Sequence, residues 1–311
     1  MNDKILQEYK DFVWGKHSKT MTRLSYIAHP KRLLELIGKQ VSDVTPNDIN
    51  KYVQYCFEHY KQNGNSTRFW SIRQFLKWAK RRKYISKNLA KELPKINPID
   101  AGKTALDEET IGQLISTVEN LSPLHRMIFY LELDCSRRPD EIRTLKITDK
   151  YVDKLQYKGK TDSRTGKKYC TMSNRLMMAW DDYQKIRPIP STSDDAEYLI
   201  LNDYGQYKGI RLHTVRPITR IIREICMYAG IELPHGKQPN NYLIKRTGIT
   251  HKFRLGLNPK TIMAQAGHTD ISTTLKYDRI SDKDIKEDMD TFEYQTKNIK
   301  EKRHIRDDKY L

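Results

Sequence analysis

Cysteine is sparse in this chain and scattered. Cys56, Cys135, Cys170 and Cys226 stand far apart, with no CxxC pair and no histidine cluster beside them. That spacing argues against a disulfide framework or a zinc site and for a reducing compartment. No apolar run approaches the length of a membrane span. The opening Met1-Asn2-Asp3-Lys4 lacks a signal-peptide core, so the expectation is a soluble, cytoplasmic protein with no membrane partner. There is no internal repeat and no low-complexity tract. Paired histidines and paired carboxylates in a suitable setting are also missing, which removes ribonuclease and glycoside hydrolase chemistry.

Acidic residues are the minority charge. Lys plus Arg number 57 against 39 Asp plus Glu, a net charge of +18 over 311 residues. Such an excess fits a polyanionic partner, and nucleic acid is the first candidate. The length suffices for two domains, each with its own core.

The first hundred residues read as helical. Ile27, Leu33, Leu34, Leu36 and Ile37 mark an early helix. Thr45-Pro46-Asn47-Asp48 has the form of a helix start, with Thr as N-cap and Pro in the first turn. A third helix, expected over 66–83, sets Ile72, Phe75, Leu76 and Ala79 on one stripe. Its other face carries Arg68, Arg73, Lys77, Lys80, Arg81, Arg82 and Lys83 without an intervening acid, with Trp70 and Trp78 nearby. An unbroken basic face of this kind favours phosphate contact over simple solvation.

Pro94 to Lys103 mixes proline, glycine and charge without apolar periodicity and reads as a linker. The expected organisation is a helical DNA-binding domain over 1–95, a linker over 96–105 and a second domain over 106–311. Asp107-Glu108-Glu109 opens the next helix, with acids suited to its positive end. The exception to helix lies within 151–173, where Leu155-Gln156-Tyr157 and Tyr169-Cys170-Thr171-Met172 flank a polar turn. This is a β-hairpin pattern. The fold class is therefore mainly α with a small antiparallel hairpin or sheet. Beyond Asp278, dense alternating charge suggests a helix and then a tail.

Three short motifs carry chemistry. In Arg137-Arg138-Pro139-Asp140-Glu141, Glu141 lies three residues after Arg138 and can orient its guanidinium. Ala266-Gly267-His268 precedes Thr273-Thr274-Leu275-Lys276-Tyr277, so a tyrosine follows the histidine by nine residues. A histidine that donates to phosphate and a tyrosine nucleophile at fixed separation suit phosphoryl transfer. His213-Thr214-Val215-Arg216 spells a His-x-x-Arg box but lies far upstream of His268, before an isoleucine stripe, and reads as structural. Tyr294 and Tyr310 do not keep the nine-residue spacing.

In this order the motifs resemble the tyrosine recombinase (phage integrase) family over nearly the whole chain. Ser136 to Glu141 matches its Gly-x-Arg-x-x-Glu box with Ser in place of Gly, 266–268 its Leu-Gly-His box, and 273–277 its nucleophile segment. The resemblance implies a core-binding domain followed by a catalytic domain. Tyr277 would attack a DNA phosphodiester, Arg138 and His268 would bind the phosphate, and a hairpin lysine would protonate the leaving oxygen. Lys160 is favoured for that role and Lys158 is the alternative. No metal ion or other cofactor is needed. The resemblance also implies a tetramer on synapsed DNA, with a dimer at each site and an exchange segment after Tyr277.

One box departs from the family. Where His-x-x-Arg is usual, Tyr242-Leu243-Ile244-Lys245 stands, followed by Arg246. Lys245 occupies the arginine register and Tyr242 that of the histidine. Lysine keeps the charge but loses the planar fork of donors. Either Lys245 or Arg246 serves as second cation with Tyr242 as a hydroxyl donor, or the chain is a weakened recombinase that still binds DNA. A type IB-like topoisomerase shares the chemistry and is the third reading.

Overall fold

The computed structural model describes residues 2–16, 20–97, 105–159, 168–233, 238–240 and 242–278, together with 286 and 289. The chain divides into two compact units, Met1–Gly102 and Lys103–Leu311.

Among its described residues the first unit holds four α-helices: α1 (Asn2–Lys16), α2 (Thr20–Ile37), α3 (Pro46–His59) and α4 (Gln62–Arg81). Thr45 caps α3 as its sequence suggests. Its hydroxyl accepts from Asp48 N, and the Asp48 carboxylate accepts from Thr45 N at 2.9 Å, closing a capping box. The Asp48 carboxyl is held down to about 2, first by the Lys39 amine and then by Thr45. Helix α4 begins four residues before the expected start. Asn65, buried in its first turn, donates to the Cys56 and Tyr60 carbonyls and ties it to the end of α3.

The apolar stripe of α4 is the core of this unit: Ile72, Phe75, Leu76 and Ala79 are all buried. Trp78 belongs with them and not with the basic face. Its ring lies 5.1 Å from Tyr9 of α1 and 6.1 Å from Phe75, while Trp70 stays half exposed against Tyr26.

The second unit is built around α6 (Pro123–Leu133), buried without interruption from Met127 to Leu133. Helix α5 (Glu108–Glu119), capped by Asp107, packs against it. The short α7 (Pro139–Arg143) follows, then a three-stranded antiparallel sheet of β1 (Lys150–Tyr151), β2 (Lys154–Tyr157) and β3 (Lys168–Thr171). Leu155 pairs with Cys170 and Tyr157 with Lys168, so these four share the inner face. Strand β2 ends at Tyr157, so Lys158 lies just past it. Residues 160–167, Lys160 among them, lie outside the described residues.

The remaining helices are α8 (Asn174–Ile186), α9 (Ser193–Ala196), α10 (Arg216–Tyr228), α11 (Leu243–Arg254), α12 (Pro259–Ala266) and α13 (Ile271–Leu275). The isoleucine stripe 218, 221, 222, 225 is buried along α10, and His213 is exposed ahead of it. Helices α8, α10 and α11 all pack on α6. The approach of α11 is close. A Cβ at Gly248 would stand 2.9 Å from the Leu133 carbonyl carbon and 3.1 Å from its Cα, with the oxygen nearer still. Most of the segment after Asp278 lies outside the described residues.

Candidate active site

Arg138 is the N-terminal flank of α7, and Pro139 sets the first turn. The Glu141 carboxylate accepts from both the guanidinium of Arg138, at 2.7 Å, and its backbone N–H, at 3.0 Å. Glu141 is buried, while the Arg138 side chain keeps 28 % exposure. The guanidinium is thus held from behind and open in front, the geometry of a phosphate clamp.

His268 follows Gly267, which ends α12 in the left-handed conformation at φ 66°. The site has no room for a larger residue, because a Cβ there would lie 3.1 Å from Cζ of Tyr157 and nearer its hydroxyl. Thr274, fully buried on α13, places Oγ1 2.8 Å from His268 Nδ1. A hydroxyl proton donated to Nδ1 leaves the ring proton on Nε2. The Tyr277 ring stacks on that imidazole, centroids 6.1 Å apart and planes inclined by 17°. Tyr277 is held through its backbone, donating to Thr274 O at 3.0 Å and accepting from Thr250 Oγ1 at 3.5 Å. One threonine therefore positions both the histidine and the tyrosine.

The arginine box and the histidine box are joined by Arg137. Its side chain is fully buried, with Nη2 donating to Gln265 O at 2.5 Å and Nε to Cys135 O at 2.8 Å. Its guanidinium lies 3.5 Å above the Tyr157 ring. Lys168 adds a second tie, from β3 to the Gly267 carbonyl at 3.1 Å.

The divergent box lies on α11. Lys245 is buried, and its amine donates to the Ser136 carbonyl. Burial, and next the Arg137 and Arg138 charges, push its pKa well below the ordinary lysine range. Arg246 donates from Nε to the Tyr242 carbonyl at 3.0 Å, and Tyr242 is 51 % exposed just ahead of α11. Lys252, seven residues after Lys245 on the same face, donates to Leu133 O at 2.8 Å, and burial brings its pKa down to about 8.

The basic face of α4 is not uniform. Arg73 donates to the Leu93 and Pro94 carbonyls at 2.6 and 3.2 Å and fastens the segment after α4. Arg68 lies flat on Tyr60 at 3.5 Å, and Lys80 donates to the Ser86 carbonyl. Lys77, Lys80, Arg81, Arg82 and Lys83 remain exposed.

A profile for the phage integrase family matches residues 104–284. The chain belongs to the phage integrase family. Among curated relatives of this integrase-family chain, Tyrosine recombinase XerC of Caldanaerobacter subterraneus is 25% identical over 254 residues, spanning 79% of this chain and 68% of its own. Tyrosine recombinase XerA of Thermococcus kodakarensis is 22% identical over 295 residues, 90% of this chain and 92% of its own. The solved lambda integrase (75–356) dimer bound to a COC′ core site superposes with a TM-score of 0.68 at 13% identity, covering 88% of this chain and 94% of that one. The Tn1549 transposon integrase in complex with circular intermediate DNA gives 0.64 at 17% identity, covering 92% and 98%. At these identities the structural likeness is one of fold.

For this integrase-family chain, motif reading passes over Arg137, Lys168, Lys252 and Thr274. The Thr-Thr pair ahead of Tyr277 is a local signal for the last. The other three have none, because their partners come from distant segments.

Proposed function

We propose that Tyr277 of this phage-integrase-family recombinase attacks a DNA phosphodiester, forming a 3′-phosphotyrosyl link and releasing a 5′-hydroxyl. A second DNA end reverses the step, so bond energy is conserved and no ATP is consumed. The observation that carries the reading is the stacked His268–Tyr277 pair locked by Thr274, with an oriented Arg138–Glu141 pair tied to the same segment through Arg137. In this reading Arg138 pairs bidentately with the phosphate, and His268 donates from Nε2 to a phosphoryl oxygen. Lys160 protonates the leaving oxygen, with Lys158 as the alternative and Lys168 as a third candidate raised by its place beside Gly267. Positioning and charge neutralisation supply the catalysis. Lys245 and Arg246 on α11, with Tyr242 just ahead of it, form the divergent box.

The residues before the linker serve as a core-binding domain and those after it as the catalytic domain. The exposed cations Lys77, Lys80 and Arg81 of α4, with Arg82 and Lys83 just past its end, contact phosphates. Lambda integrase is known as a dimer bound to a core site and as a tetramer bound to a Holliday junction, and we carry both states to this chain. Among the described residues no helix is long and apolar enough to cross a membrane, which is consistent with the cytoplasmic, DNA-associated location we assign.

One observation favours a second reading. Lys245 stands where the family has arginine and is buried, as a weakened relative that binds DNA without cleaving it would permit. Covalent trapping separates the two. A nicked suicide duplex, built on sequence enriched from random DNA by binding to the protein, should yield an adduct with the wild type and none with Tyr277→Phe. Tight binding without an adduct selects the second reading.

A further inference from the structure

The four residues Leu133 to Ser136 connect α6 to the segment bearing Arg138, and they form a tight turn with Ser136 at φ 53°. A residue with a Cβ adopts that left-handed conformation only when its surroundings hold it there. Here three of the turn's four carbonyls are taken by three different cations, Arg137 and Lys245 buried and Lys252 half-buried. Lys252 donates to Leu133 O and lies 3.4 Å from Ser136 Oγ. Arg137 donates to Cys135 O, and Lys245 donates to Ser136 O.

Gathering three cations around one turn, two of them buried, is costly. For stability alone, apolar side chains of similar volume commonly do as well or better. The arrangement therefore points to a requirement for position. Arg138 begins two residues beyond Ser136, so the direction of its side chain depends on the dihedral angles of this turn. Lys245 has its amine inside the protein, on a backbone carbonyl, and is only 2% exposed. A compact ammonium group can enter such a place, whereas a guanidinium needs a planar slot.

We propose that Lys245 is a positioning residue: its buried amine holds the Ser136 carbonyl, fixing the left-handed turn that aims Arg138, and does not itself contact the scissile phosphate. Lys252 supports the same turn from the next part of α11. The inference rests on the recombinase reading given above. It accounts for why the family's arginine register can hold a lysine here without the site coming apart.

The test is a cycle between the amine and the strain it restrains. The rate of covalent adduct formation on the nicked suicide duplex is measured for wild type, Lys245→Arg, Lys245→Met, Ser136→Gly and the Lys245→Met/Ser136→Gly double variant. Misplacing a catalytic group by a fraction of an ångström to an ångström can cost about a hundredfold, so Lys245→Met should slow the adduct by roughly that factor. Glycine adopts positive φ without strain, so adding Ser136→Gly to Lys245→Met should recover about tenfold or more of the loss. Lys245→Arg should be slower than wild type. An Arg variant as fast as wild type or faster, with no recovery by Ser136→Gly, assigns Lys245 to the phosphate and overturns the proposal.

Amide hydrogen exchange over 133–138 is the second measurement. It should quicken in Lys245→Met and return towards wild type in the double variant, and unchanged exchange also overturns the proposal. If the wild type forms no adduct, the recombinase reading fails by itself and the exchange data still decide whether the amine holds the turn.

Discussion

Gly248→Ala pits two effects of known size against each other. Gly248 lies in the middle of α11, where alanine is favoured over glycine by about 1 kcal/mol on helix propensity. That alone should raise the melting temperature. The neighbouring backbone opposes it. A Cβ would sit 2.9 Å from the Leu133 carbonyl carbon, where ordinary contact begins at 3.4 Å, and nearer still to the oxygen. Neither partner is a flexible side-chain end, so α11 must move off the end of α6. Overpacking of this kind costs about 1–3 kcal/mol. The same shift lengthens the Lys252–Leu133 bond, now 2.8 Å, and a hydrogen bond to a charged group is worth about 1.5–3 kcal/mol. The clash wins by about 2 kcal/mol. For a unit of this size that means a fall of roughly 4–8 °C in Tm. Adduct formation should slow with it, since α11 also carries Lys245. Calorimetry on the full chain checks the first and the suicide duplex the second. A variant that melts higher than wild type refutes the geometry of the α6–α11 contact.

Four other outcomes follow. Thr274→Val removes the hydroxyl from His268 Nδ1 and should slow adduct formation about tenfold, the worth of one buried hydrogen bond. Thr274→Ser should keep most of the rate, and equal rates for Val and Ser would separate Thr274 from the histidine. Alanine at Lys77, Arg81 and Arg82 together should flatten the salt dependence of DNA binding by about 0.9 for each phosphate no longer neutralised. Arg73→Ala should instead lower the melting temperature with an unchanged salt slope, because Arg73 is committed to Leu93 and Pro94. Lys252 titrates at about 8 in the folded chain against an ordinary 10.5. Between those values the unfolded chain binds the extra proton, so stability rises with pH across that window. The wild type should therefore gain about 2 kcal/mol on Lys252→Met from pH 8 to pH 10, and a flat difference in denaturant titrations refutes the burial of that amine.

Local chemistry was the legible part of the sequence. The Thr45–Asp48 box, the Asp107 cap, the α4 stripe and the Arg138–Glu141 pair all depend on residues within one or two turns of each other. What stayed hidden depends on partners brought from elsewhere. Nothing in Arg137-Arg138 says which guanidinium goes inward, and the choice is made by Tyr157 and Gln265. Trp78 looked like an exposed neighbour of basic residues until α1 supplied Tyr9 to cover it. Arg73 turns to an irregular segment 17 to 21 residues later because that segment offers it carbonyls. Lys252 carries no motif, since its role depends on a turn 116 to 119 residues away.

The contact between Tyr157 and Gly267 has a historical consequence. The hydroxyl of Tyr157 fills the space a side chain at 267 would need, while its ring supports Arg137. Loss of the hydroxyl by Tyr157→Phe would still leave ring carbon Cζ 3.1 Å from a Cβ at 267, on a backbone whose positive φ strains any side chain there. Position 267 is therefore closed twice, by the ring in front of it and by the backbone beneath it. A population drifting through single substitutions would keep glycine at 267 even after the hydroxyl at 157 had gone.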